Sequence, residues 1–298
     1  MTAGVEARKP QLAISGVPLY GWLGLSLASL FWLLNWTLTG LRTHWAFFPL
    51  WLGYCLAIDG LVFRRTGTSL LARSWRRYLG LFLASAPVWW IFELLNLRTR
   101  NWSYLGAETF SPFSYAFWTT LSFTTVIPAV FGTAELFASF DFIKRLGRGP
   151  RVRIDRLTTT VFFSAGAAML VVMLIWPRVF FLFIWLSLFF ILEPINIWRG
   201  NPSLAAWIRQ GDWRPVAALW CGVLFTAFFW EMWNYFSYPK WTYDVAWGGW
   251  PKVFEMPLLG YGGYLPFALE LYAIYHILLG ILGQGRTDFL RVAPSPER

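Results

Sequence analysis

Long apolar runs set the terms for this chain. Eight of them cover approximately 20–39, 46–63, 79–97, 113–140, 158–177, 179–197, 215–236 and 257–283. A helix needs about 20 mostly apolar residues to cross the hydrocarbon core of a bilayer. The composition agrees: 57% of the residues are hydrophobic and 13% charged, where soluble domains run near 25% charged. That excludes a water-soluble globule. Disordered, collagen-like and disulfide-stapled chains are excluded too, because the apolar fraction is high and Cys55 and Cys221 are the only cysteines. Both cysteines lie in apolar runs and read as small buried hydrophobes. The expected fold class is an all-α, polytopic membrane helix bundle of about eight transmembrane helices.

Charge orients the bundle. The net charge of +10 is gathered in alternate loops. Arg64, Arg65, Arg73, Arg76 and Arg77 fill the second loop. Lys144, Arg145, Arg148, Arg151, Arg153 and Arg156 fill the fourth, and Arg199, Arg209 and Arg214 the sixth. The intervening loops carry Arg42, then Arg98 and Arg100, then Arg178, then Lys240 and Lys252. Such an asymmetry places the cation-rich loops in the cytoplasm. Both termini are then cytoplasmic and the protein sits in the inner (plasma) membrane, its basic loops against anionic headgroups. Nucleic acid is not an expected partner. Residues 1–18 are polar and lack a cleavage-site pattern, so the first span reads as an uncleaved anchor.

The chain also repeats itself. Asp59 followed by Arg65 and Ser69-Leu70 recurs as Glu193 followed by Arg199 and Ser203-Leu204, at an offset of 134. Phe92-Glu93-Leu94-Leu95-Asn96 recurs as Trp230-Glu231-Met232-Trp233-Asn234 at 138, and Trp102-Ser103-Tyr104 as Trp241-Thr242-Tyr243 at 139. Ala134-Glu135-Leu136-Phe137-Ala138 recurs as Leu269-Glu270-Leu271-Tyr272-Ala273 at 135. This predicts two four-helix repeats, 20–140 and 158–283, joined by a basic linker at 141–157. A cytoplasmic segment 1–19 and a tail 284–298 flank them. An even number of spans per copy makes the copies parallel, related by an axis along the membrane normal.

Acids inside spans cost roughly 2.5–3.5 kcal/mol each on insertion scales and require a reason. Asp59, Glu93, Glu135, Glu193, Glu231 and Glu270 are all members of repeat-related pairs. Glu93 and Asn96 share a helical face, as do Glu231 and Asn234, near the extracytoplasmic ends of their helices. Beyond them come Arg98, Arg100, Asn101, Trp102 and Tyr104 in one copy, and Tyr235, Lys240, Trp241, Tyr243 and Asp244 in the other. The expected site is an outward pocket with Glu93 and Glu231 as acids, and Asn96, Asn234 and those aromatic and cationic residues as substrate-binding groups. The bland reading ties each glutamate to Arg98, Arg100 or Lys240. For Asp59 and Glu193 an ion pair with Arg65 or Arg199 is the better expectation. Glu135 and Glu270, downstream of Pro128 and Pro266, suit helix packing and proton relay equally. Trp89, Trp90, Trp118, Trp213, Trp220 and Trp250 are expected in the interfacial belts.

Metal and nucleotide chemistry lack their signatures. His44 and His276 are the only histidines, and no His-Glu-x-x-His, cysteine cluster, Asp-x-x-x-Asp or Walker A pattern is present. No cofactor or metal is expected. Gly260-Tyr261-Gly262-Gly263 reads as a helix-packing stretch.

A carboxylic acid in an apolar pocket keeps its proton and can serve as a general acid, and aromatic faces stabilise a nearby cation. Phe229-Trp230-Glu231-Met232-Trp233-Asn234-Tyr235 resembles the Trp-Glu helix of integral-membrane isoprenoid cyclases of the fungal meroterpenoid type, and the paired acids resemble the lycopene cyclase domain. Those families are small helical membrane proteins that start cyclisation by protonating an alkene or epoxide. The resemblance implies acid roles for Glu231 and Glu93 alone. Eight spans depart from those families, and Glu255-Met256-Pro257 matches the lycopene cyclase Pro-x-Glu-Glu pattern only in the wrong order. The expected function is an enzyme acting on an apolar lipid or isoprenoid ligand. The alternatives are a proton-coupled transporter or flippase, and a non-catalytic subunit with membrane-protein partners or copies of itself.

Overall fold

A computed structural model describes residues 13–284 and 289–292. Residues 1–12 of the expected segment 1–19, and 285–288 and 293–298 of the expected tail, lie outside the described residues. A short hairpin, β1 (Ala13–Ile14) and β2 (Val17–Pro18), leads into α1 (Leu19–Thr37), α2 (Thr43–Thr66), α3 (Leu70–Arg73) and α4 (Trp75–Thr99). Strand β3 (Trp102–Leu105) and a 3-10 turn then precede α5 (Pro112–Phe123), α6 (Val126–Ala138) and α7 (Asp141–Lys144). The second half holds α8 (Arg156–Ile175), α9 (Pro177–Phe180), a 3-10 stretch Phe181–Trp185, α10 (Ser187–Arg199), α11 (Ala205–Ile208) and α12 (Arg214–Tyr235). It closes with β4 (Lys240–Tyr243), β5 (Lys252–Val253), β6 (Met256–Pro257) and α13 (Leu258–Ile281).

Helix dominates because a bilayer core offers no water to unsatisfied backbone groups. Seven described helical spans are long and apolar enough to cross a membrane: 43–66, 75–99, 112–138, 156–175, 177–199, 214–235 and 258–281. The protein is an integral, multi-pass membrane protein. The eighth expected span is also a helix, α1, but is not among those seven. Helix ends follow local chemistry. Ser69, Ser74, Ser111 and Asp155 each accept a backbone N–H as N-caps. Gly67 and Gly200 close α2 and α10 in the left-handed conformation at φ 72° and 71°.

The expected span 113–140 is two helices. Pro128 removes the N–H that would bond a carbonyl one turn back. Ser85 of α4 enters the gap, donating to the Phe123 carbonyl (2.5 Å) and accepting from Ile127 N–H (3.0 Å). The expected span 179–197 is likewise broken, by the 3-10 stretch between α9 and α10.

Helix α1 lies along α2, and α8 along α10; α6 packs on α2 and α4, and α13 on α10 and α12. The halves meet chiefly where α6 crosses α12. Hydrogen bonds divide the molecule into two ends. At one, Arg65 donates to Ser139 Oγ (2.7 Å), Gly149 to the Gly211 carbonyl (2.8 Å) and Trp213 to the Pro150 carbonyl (2.8 Å). This joins the second, fourth and sixth loops into one basic end. Arg291 N–H bonds Glu135 there (2.7 Å), and Phe289, Leu290 and Val292 are buried. At the other end Arg42 N–H and Thr43 N–H both reach the Tyr238 carbonyl, at 2.9 and 3.0 Å. Trp247 there donates to the Val179 carbonyl (3.3 Å).

Candidate functional site

The site is built at that second end, where α4 and α12 each finish on a Glu-x-x-Asn. Asn96 Nδ2 donates to the Trp102 carbonyl (2.8 Å), and its Oδ1 accepts from Asn101 N–H (2.8 Å). Asn234 Nδ2 donates to the Trp241 carbonyl (2.8 Å), and its Oδ1 accepts from Trp241 N–H (3.0 Å). Each asparagine thereby turns its chain sharply back into a strand. The strands pair antiparallel, Trp102 opposite Tyr243, Ser103 opposite Thr242 and Tyr104 opposite Trp241. The repeated tripeptides thus face each other about a local two-fold between Ser103 and Thr242.

The pairing turns two phenols inward onto the two glutamates. Tyr104 donates to Glu93 Oε1 at 2.5 Å and Tyr243 to Glu231 Oε1 at 2.7 Å. The remaining donors differ. Trp89 and Trp102 indoles also reach Glu93 Oε1, both at 3.0 Å, whereas Glu231 Oε1 accepts the Tyr264 phenol at 2.7 Å. Glu231 is fully buried and its Oε2 has no hydrogen-bond partner. Burial, and then the adjacent glutamate, push the Tyr104 and Tyr243 phenols well above the ordinary phenol range, so both strand tyrosines stay protonated and donate.

In front of these phenols lies a cavity of about 210 Å³ with a mostly aromatic wall. Trp89, Trp102, Trp185, Trp230, Trp241 and Phe267 form its body. Phe92 and Trp102 stack on Trp185 at 5.5 and 5.8 Å. Of the residues expected at the site, Trp102, Tyr104, Lys240, Trp241 and Tyr243 line the cavity. Glu93 and Glu231 stand one side chain behind the wall. Asn96 and Asn234 bond the strands and do not line the cavity.

The rim cations do other work. Arg98 donates to the Leu174 and Ile175 carbonyls at 2.8 and 3.2 Å, capping the C-terminus of α8. Arg100 is the exposed left-handed cap of α4 at φ 52°. Lys240 pairs with Glu255, not Glu231, and its Nζ also meets the exposed Tyr235 through that residue's carbonyl (3.2 Å) and ring.

Two of the other acids, Asp59 and Glu193, also depart from expectation. Asp59 accepts from Tyr20 (2.8 Å) and Leu71 N–H (3.0 Å), and Glu193 from Ala205 N–H (2.9 Å). They hold the N-termini of α3 and α11, where the helix dipole favours negative charge, and the expected Arg65 and Arg199 ion pairs do not form. Glu135 pairs with Arg73, and Glu270 accepts from Leu188 N–H at the break before α10 (3.2 Å). Trp89 and Trp118, expected in the belts, line the cavity. So does Asn101, expected at the rim, and so do Tyr264 and His44, which lie outside the repeated motifs and carry no sequence signal of their own.

Asn96→Leu or Asn234→Leu is expected to cost about 1–2 kcal/mol by stranding a tryptophan carbonyl and to loosen the β3–β4 pair. Amide hydrogen exchange across 100–106 and 238–244 should rise in each variant. Unchanged protection in both would show that the asparagines do not hold the strands.

No known protein family, curated protein or solved structure matches the chain.

Proposed function

We propose that this membrane protein takes an apolar lipid or isoprenoid ligand into the aromatic cavity and acts on it by general acid chemistry, with Glu231 as the proton reserve. The observation that carries this reading is the Glu231 carboxyl. It is fully buried, accepts two phenols on one oxygen, leaves the other without a partner, and stands directly behind tyrosines that form the cavity wall. The phenol of Tyr243 or Tyr264 swings its O–H from Glu231 to a ligand double bond and passes that proton on only as it receives the Glu231 proton, so that no phenolate forms. The π pair becomes the new C–H bond, and the Glu231 proton replaces the one lost from the phenol. The negative charge left on Glu231 then rests on two hydrogen bonds, while the indole faces of Trp230, Trp185 and Trp89 surround the carbocation. Loss of another proton from the ligand, back to the carboxylate, resets the acid. No metal, nucleotide or oxidant enters the balance.

The proposal includes the architecture that the sequence repeat predicts: eight spans in two parallel four-helix copies, with both termini on the cytoplasmic side. Support comes from the matched packing of α1 on α2 and α8 on α10, and from the two-fold pairing of β3 with β4. Asp59 and Glu193 also bind equivalent backbone N–H groups. Residues 13–18 and 289–292 lie at the same basic end: Gly16 packs against Arg64 and Arg291 bonds Glu135. That placement supports an even number of crossings, α1 included. The basic end is then cytoplasmic and the cavity extracytoplasmic.

Glu231→Gln keeps an acceptor oxygen for both phenols but holds no carboxyl proton. In cells lacking the native gene, it is expected to fold to normal yield and slow turnover by at least about 100-fold, so that one apolar lipid accumulates in the extract. Glu93→Gln, whose oxygen is saturated by three donors, should stay within about tenfold of wild type on the same scale. Two folded variants with unchanged lipid profiles would sink the acid chemistry and leave transport or a scaffold role.

A further inference from the structure

The cavity has a definite floor. Along α13 its wall is Leu259, Gly260, Gly263, Tyr264 and then Phe267, and exposure falls along that line from 48% at Leu259 to 1% at Phe267. Helices α4 and α12 end at the same side of the molecule and contribute Trp89 and Trp230. The broken span contributes Phe123 and Val126, at the join of α5 and α6. One helical turn further in, Leu271 on α13, Ala227 on α12 and Val130 on α6 are fully buried and do not line the cavity. The cavity therefore stops at the level of Phe267. From Leu258, the first residue of α13, to Phe267 the helix descends about 14 Å. That is close to half of a hydrocarbon core about 30 Å thick.

Rings close that level. Phe267 lies 5.8 Å from Trp89, 6.5 Å from Trp230 and 5.5 Å from Trp185, and Trp89 lies 5.9 Å from Phe123. Helices α4, α5, α12 and α13 and the 3-10 stretch thus meet across one aromatic floor, with Phe267 at its hub. The neighbouring rings have other duties. Trp89 donates to Glu93, the Phe123 carbonyl accepts from Ser85, and Trp230 stacks at 6.0 Å on Tyr264, a donor to Glu231. Phe267 has no polar side-chain atom and only fills space. A ring packed this closely cannot yield to an incoming chain without displacing its neighbours.

We propose that Phe267 is the specificity-determining residue of the cavity: it stops the hydrocarbon chain of the ligand near the bilayer midplane and so sets the longest chain the site takes. The chain enters from the extracytoplasmic end, past Leu259 and Gly263, and its leading end rests on the Phe267 ring. This rests on the apolar-ligand reading given above and adds an upper limit on length. It does not depend on the acid step. Truncating the ring deepens the cavity along α13 and admits longer chains.

The test titrates geraniol, farnesol and geranylgeraniol, prenols of increasing length, into the purified protein in detergent and follows tryptophan fluorescence, with affinities corrected for partition into the micelle. Wild type should gain affinity with length and stop gaining within the series, once the chain reaches the floor. Phe267→Ala should bind geraniol up to about fivefold more weakly than wild type, for the lost ring contact, and geranylgeraniol about tenfold or more tightly, the scale of burying one or two further methylene groups. Phe267→Leu, a smaller cut in case alanine does not fold, should shift the preference the same way by about threefold. Glu231→Gln should keep the wild-type length profile, which separates the floor from the acid chemistry. A ratio of variant to wild-type affinity that is the same at all three lengths makes the ring merely structural and overturns the inference, with the cavity left standing. A steady gain of wild type through geranylgeraniol overturns it without any variant. A wild type that binds none of the three overturns the cavity reading and this inference with it.

Discussion

Arg73→Met should destabilise the protein by about 3–5 kcal/mol, the penalty for leaving a buried charge without its partner. Arg73 and Glu135 are paired at the basic end, with side chains 12% and 2% exposed, so solvent screens the pair little. Arg73 also donates to the Phe289 carbonyl (2.9 Å), and its guanidinium covers the Phe289 ring at 5.1 Å. Removing it leaves Glu135 with the Arg291 N–H alone and frees the segment 289–292 from α3. The pair is nevertheless incompletely served: Nε and Nη1 of Arg73 are buried without partners. A buried pair with unmet donors adds little net stability, so Arg73→Met combined with Glu135→Met should recover more than half of the loss. Thermal melts of the purified protein in detergent measure both. A single variant that loses less than about 1 kcal/mol would place the pair among weak surface contacts.

The membrane class and nearly all the span positions are legible in the sequence because the bilayer imposes them. Every backbone group must bond within its own helix, so the apolar length of a run fixes the element. Interruptions inside a run are a different matter. Pro128 announces a disturbance, but the hydroxyl that relieves it belongs to Ser85 on another helix, and hydropathy carries no trace of that partnership. The acids behave similarly. Their repeat spacing marks Glu93 and Glu231 as a matched pair, yet the donors that tell them apart, Trp89 for one and Tyr264 for the other, sit outside the repeated motifs. Loop charge reports a side of the membrane and nothing about partners. Arg98 found helix-end carbonyls of α8, and Lys240 found Glu255. The segment 289–292 shows the limit most plainly. Within a polar tail its few apolar residues attract no attention, and only the fold reveals that Phe289, Leu290 and Val292 are buried.

Glycine packing yields the second large effect, and its sign separates packing from helix propensity. At Gly222, where α12 crosses α6, an added Cβ would sit 2.6 Å from Ala134 N and 2.7 Å from Ala134 Cα. At Gly53, where α2 crosses α1, it would sit 2.5 Å from Ala28 N and 2.7 Å from the Gly24 carbonyl oxygen. Those neighbours are backbone atoms, so no rotamer change makes room and the helices must part. Close approach of this kind is the main source of helix association in a bilayer, where burial of apolar surface drives nothing. Gly222→Ala and Gly53→Ala are each expected to cost about 3 kcal/mol, the upper end of overpacking penalties. Gly80 on α4 has nothing within 4 Å of an added Cβ, and alanine there should instead stabilise by up to about 1 kcal/mol through helix propensity. If propensity ruled at all three sites, all three melting temperatures would rise together. Gly222→Ala carries a further consequence, because α12 also bears Glu231 and Asn234. A shift of α12 away from α6 moves β4 against β3 and displaces Tyr243 from the cavity wall. That variant should therefore lose binding of apolar probes along with stability, while Gly53→Ala pushes away α1, which gives no residue to the cavity wall, and loses stability with the cavity intact.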